Sequence, residues 1–130
     1  MKSRNNSYSF LIPTRKRVES LKNCINSILE KTYNLDDIEI ILGIDNDDIE
    51  TINFDFIINK KFKKIQIKKI IMERFSGYED QPVRLKKMIE NSKNDFLIHF
   101  ADDMRIVTNH WDLILNNQIN KLNNDLIYLI

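Results

Sequence analysis

Glycine and proline are scarce in this 130-residue chain, two of each, and their scarcity excludes whole classes of nucleotide site. A P-loop and the GxGxxG dinucleotide fingerprint both need serial glycines to bring backbone N–H groups against phosphate. Any phosphate must therefore be held another way. The single cysteine, Cys24, can build neither a disulfide framework nor a zinc cluster within this chain. Set inside a helical pattern, it reads as a buried, inert thiol. No segment approaches the ~18 apolar residues of a membrane span, and the opening MKSRNNSYSF lacks the apolar stretch of a secretory signal. A soluble, cytoplasmic protein without a transmembrane segment is expected. Neither sign of charge is in excess: 20 Lys and Arg face 19 Asp and Glu, for a net +1, which argues against a general nucleic-acid binder. The one basic run, residues 60–69, reads as a strand with a solvated face, because Ile65 and Ile67 alternate with its lysines.

What is present is a series of short apolar runs that end in polar residues. A chain of 15.6 kDa suits a single domain, residues 1–130. Residues 8–12 (YSFLI) predict a first strand ended by Pro13. Residues 17–31 predict a helix, with Val18, Leu21, Ile25, Ile28 and Leu29 in one stripe. Residues 38–44 (IEIILGI) predict a second strand that runs into Asp45, Asn46, Asp47 and Asp48, where Asp47 or Asp48 could cap a short helical piece. Residues 54–62 fit either a helical turn or an edge segment, residues 65–72 a third strand, and residues 73–81 a loop. Pro82 suits the first turn of a helix reaching about Ser92. Residues 96–100 (FLIHF) read as a strand covered on both faces, with His99 a packed core histidine and Asp102 and Asp103 at its carboxyl end. Thr108 is a candidate N-cap for a helix over residues 109–122, and residues 125–130 (DLIYLI) a last strand. Strands alternating with helices predict a three-layer α/β/α fold around a mainly parallel sheet.

In such sheets ligands bind beyond the carboxyl ends of the strands, and two of these strands end in acid. An acidic pair after a strand also serves simply as a turn or helix cap. As a site, Asp102 and Asp103 point in opposite directions, so one suits a metal and the other a hydroxyl. Mg2+ keeps several waters and is commonly held by one or two carboxylates plus substrate phosphates.

The opening strand with Pro13, Thr14 and Arg15, the helix carrying Leu21, Ile25, Ser27, Ile28 and Thr32, the strand ending IILGIDNDD and the strand ending FADD together resemble the nucleotide-binding half of family 2 glycosyltransferases, of GT-A fold. The likeness spans almost the whole chain. It implies a metal-dependent glycosyltransferase domain that binds a UDP- or GDP-linked sugar donor and transfers the sugar to an unknown acceptor. Pro13, Thr14, Arg15 and Asp45 would address the nucleoside, Asp102 the ribose, and Asp103, with Asp102 as a second candidate ligand, an Mn2+ or Mg2+ ion bridging the diphosphate. Arg84 or Lys86 would lie near that diphosphate. Ala101 stands where a strict D-X-D has its first acid. The family's acceptor-binding half and general base lie beyond Ile130, so a form with the acceptor half missing or minimal is implied and no catalytic base is assigned. Two other readings compete: an inactive GT-A-like interaction module that binds a partner through the sheet end or the Trp111 helix, and a nucleotidyltransferase-like enzyme. Against the latter, no Gly-rich basic loop follows the first strand.

Overall fold

The computed structural model describes residues 6–57, 60–62, 65–73 and 81–122. Their framework is a four-stranded, all-parallel sheet in the order β3-β2-β1-β4, formed by β1 (Tyr8–Thr14), β2 (Ile38–Asp45), β3 (Gln66–Met72) and β4 (Phe96–His99). β2 is buried along its full length, as expected for an inner parallel strand whose sequence is an almost unbroken apolar run. β1 continues to Thr14, past Pro13, which registers with Gly43 of β2. Proline is tolerated there because β4 registers with β1 only as far as Leu11, so the missing N–H leaves no partner wanting.

Alternation along the strands sorts side chains onto two faces. Tyr8, Phe10, Ile12, Ile40, Leu42 and Ile44 meet Leu21, Ile25, Ile28 and Leu29 of α1 (Val18–Lys31) and Ile119 of α4 (Trp111–Lys121) in the main core. On the opposite face Leu11, Ile41 and Met72 pack on Met88 of α3 (Gln81–Glu90). Gly43 also faces α3, and a Cβ there would lie 2.6 Å from Met88 Sδ and 2.8 Å from Met72 Cε. The missing side chain lets α3 sit close to the sheet.

Several boundaries differ from the sequence expectation. α4 starts at Trp111, and its N-cap is His110 in the left-handed region (φ 53°), not Thr108. The His110 amide donates to Lys31 O at 2.8 Å and the Trp111 indole N–H to Thr32 Oγ1 at 2.9 Å, so the end of α1 dictates where α4 begins. β4 is not covered on both faces: Leu97 is 43% exposed and His99 is exposed. Among the described residues α3 packs mainly over β1, β2 and β3, while Leu97 and His99 on the same face of β4 stay exposed, so His99 is no core histidine. Asp48 caps α2 (Ile49–Asn53), accepting from the Thr51 amide. Residues 54–57 take no regular form, and Lys60–Phe62 make a short 3-10 turn. The expected strand over residues 125–130 and most of the loop over 73–81 lie outside the described residues. No helix among the described residues is long and apolar enough to cross a membrane.

Candidate functional site

From β1 the chain steps outward through β2 to β3, then crosses back to place β4 on the other side of β1. The strand order reverses between β1 and β4, and at such a switch point the connections leave in opposite directions and open a crevice beyond the strand ends. Thr14, the last residue of β1, and Asp102, just past β4, meet there: Thr14 Oγ1 donates to Asp102 Oδ2 at 2.9 Å. Arg17 lies 3.4 Å from the other carboxylate oxygen, Oδ1.

The acidic segment after β4 is stitched to α1 by a polar stripe. Ser20, Cys24 and Ser27 recur at i, i+4 and i+7, one face of the helix beside its apolar stripe. Ser20 Oγ donates to Asp102 O at 3.1 Å, the Cys24 thiol to Ala101 O at 3.6 Å, and Ser27 Oγ accepts from the Ile106 amide at 3.0 Å. Burial, reinforced by the negative Asp102 and Asp103, pushes the Cys24 thiol up to about 12. It is a packing and hydrogen-bonding group, not a nucleophile.

A second cluster sits at the end of β2. The Asp45 carboxylate, only 4% exposed, is gripped by two guanidinium groups: Arg15 at 3.3 Å on Oδ2 and Arg84, from α3, on Oδ1. Arg15 also pairs with Asp47. Two cations offset the cost of burying one carboxylate. The third acid, Asp48, is buried and accepts from the Lys16 amide at 2.6 Å. Burial alone would raise its pKa. The hydrogen bonds from Lys16 and Thr51, with Arg15 nearby, outweigh that and hold it below the ordinary aspartate value.

The expected site residues thus fall on one rim. Thr14 with Asp102 and Arg15 with Asp45 and Arg84 form two linked clusters, and Pro13 and Arg84 line a mainly apolar cavity of about 240 Å³ with Pro82, Leu85, Met88 and His99. Lys86 is exposed on α3 and makes no contact with either cluster. Asp103 is exposed while Asp102 is buried, the divergence that adjacent side chains impose. Sequence reasoning missed Arg17, Ser20, the second role of Asp48 and the exposure of His99. Only the Ser20, Cys24, Ser27 spacing carried a usable signal.

Among the described residues no group of three or more His, Cys, Asp or Glu is placed to hold a metal ion. Both Asp102 oxygens are engaged within the protein. Asp103 remains as an exposed carboxylate, a donor set that suits a hard cation drawing most of its ligands from phosphate and water and does not suit an all-protein metal cage.

No protein-family model and no curated protein sequence matches the chain. Solved structures do. S. aureus TarS 1-349 superposes with a TM-score of 0.65 at 15% identity, over 89% of this chain and 32% of that one. The same TarS fragment in complex with UDP-GlcNAc gives 0.63 at 17% identity, over 95% and 37%, and in complex with UDP 0.63 at 16%, over 95% and 38%. This chain therefore spans about a third of the length of the structures it resembles. At these identities the shared property is architecture: an all-parallel, Rossmann-like α/β sheet with flanking helices, the fold of the TarS glycosyltransferase.

Proposed function

We propose that residues 1–130 act as one domain, the nucleotide-sugar-binding part of a metal-dependent glycosyltransferase that transfers the sugar to an acceptor. The observation that carries this reading is the Thr14–Asp102 contact, which brings the rims of β1 and β4 together at the sheet's switch point beside the Arg15–Asp45–Arg84 cluster. The TarS complexes with UDP-GlcNAc and UDP support a uridine nucleotide over a guanosine one for the shared fold.

In this reading Pro13 and the aliphatic part of Arg15 flank the base, and Asp102, already oriented by Thr14 and Arg17, accepts from a ribose hydroxyl. Arg84, anchored on Asp45, directs its spare N–H groups toward base or diphosphate oxygens, and Lys86 supplies a more distant positive charge. Asp103 would be the protein ligand to Mn2+ or Mg2+, which would supply positive charge against the departing diphosphate. Asp102 sits beside that ligand without sharing it.

Calorimetry with UDP and GDP, with and without Mn2+ or Mg2+, tests the proposal on wild type and on Asp103→Ala. Metal-dependent UDP binding that Asp103→Ala abolishes is expected. A chain indifferent to nucleotide in every condition would overturn it and leave a GT-A-like interaction module.

A further inference from the structure

Lys16 is the residue through which the first loop turns, and it does so with φ 51°, in the left-handed region that a side-chain-bearing residue enters at a cost. Only two glycines exist in the chain and neither stands here. Something must hold the turn. The buried Asp48 carboxylate accepts the Lys16 amide proton at 2.6 Å and is itself fixed at the head of α2, where it also accepts from the Thr51 amide at 3.4 Å. The residues on either side of the turn diverge: Arg15 goes to Asp45 and Asp47, Arg17 to Asp102. One hydrogen bond thus sits at the pivot between the two clusters of the rim.

We propose that Asp48 is a positioning residue: it latches the Lys16 turn and thereby aims Arg15 and Arg17 at the two halves of the candidate nucleotide site. The latch stands on the loop geometry, and only its effect on ligand affinity rests on the proposed function. The cost of the left-handed turn is balanced by a charge-assisted hydrogen bond in a water-poor place, where such bonds are strongest. Without the carboxylate, the lysine relaxes to a negative φ and the two arginines lose their common aim. Glycine at position 16 would take up the turn unaided.

Amide exchange followed by NMR on the whole chain tests the latch without any ligand. In wild type the Lys16 amide, on an exposed residue between strand and helix, should exchange at least about tenfold more slowly than an unstructured amide. In Asp48→Ala that protection should vanish and affinity for UDP with Mn2+ should fall about tenfold. The double variant Asp48→Ala/Lys16→Gly should regain most of the affinity while remaining less stable than wild type, because the α2 cap stays lost. A residue acting only as a helix cap would give no such rescue. Should Asp48→Ala not fold, Asp48→Asn keeps a cap acceptor but weakens the bond to Lys16, and the same changes should appear at smaller size. An unprotected Lys16 amide in wild type overturns the latch. So does an Asp48→Ala protein whose stability falls while Lys16 protection and UDP affinity stay unchanged. A protected Lys16 amide in a wild type that binds no UDP supports the latch and overturns the nucleotide reading instead.

Discussion

Thr14 and Asp102, 88 residues apart in sequence, are joined at 2.9 Å by a hydroxyl donating to a buried carboxylate, and that bond closes the rim between β1 and β4. Thr14→Val keeps the shape and removes the donor, leaving one carboxylate oxygen unsatisfied. A loss of about 1–3 kcal/mol in unfolding free energy is expected, the penalty for orphaning a buried acceptor. Thr14→Ser should cost much less. Urea unfolding of both variants checks the pair. A larger loss for Thr14→Ser than for Thr14→Val would mean that the methyl group, not the hydroxyl, matters.

Asp45 should behave as the weakest point of the rim when altered alone. Its removal leaves the guanidinium of Arg84, itself 15% exposed, beside Arg15 with no shared counter-charge. Breaking a buried pair from one side commonly costs about 3–5 kcal/mol, whereas replacing both partners costs far less. Asp45→Asn should therefore be more destabilising than Asp45→Asn/Arg84→Met. A thermal-unfolding double-mutant cycle measures the coupling, and strict additivity would show that the Arg84 pair carries no energy.

Cys24 should resist alkylation in the folded protein. Its thiol is fully buried and pushed up to about 12, and thiolate is the reacting species. Iodoacetamide at pH 8 should label it only after denaturant is added, with a rate that follows unfolding. Rapid labelling of the native chain would show that the segment after β4 lifts off α1.

The sheet was legible because its inner strands are unbroken apolar runs, and the helices because α1 carries a full 3.6-residue stripe. The open face of β4 was not. Its sequence FLIHF is as apolar as that of β2, and periodicity within a strand says nothing about how far α3, on another segment, extends across the sheet. The acids at the strand ends were visible, yet their partners were not, since Arg84 reaches Asp45 from 39 positions away. Lys16 gave no warning of its left-handed turn. The usual markers are glycine and asparagine, and here the demand falls on a lysine because Asp48 meets it from a different loop.

At the opposite rim, Glu39 should set the acid limit of stability. It is fully buried on β2 and accepts from Ser9 Oγ at 2.6 Å and the Lys93 amide at 2.7 Å, with Lys68 Nζ at 3.1 Å. Burial raises its pKa, but those three partners together outweigh burial and hold it below the ordinary glutamate value of 4.5. A carboxylate depressed in the folded state binds protons less readily there than in the unfolded chain. Its stabilising contribution is therefore complete above about 4.5, the unfolded value, and is lost as pH falls through the lower folded value. Urea unfolding between pH 7 and pH 3 should show stability declining below about pH 4.5, where the unfolded glutamate takes up its proton first. Glu39→Gln removes the titrating group, so its curve should start lower at pH 7 and fall less steeply on the acid side. Parallel curves for the two proteins would assign the acid limit to another carboxylate. Asp48, whose pKa is depressed in the same direction by Lys16 and Thr51, would then be the next to replace.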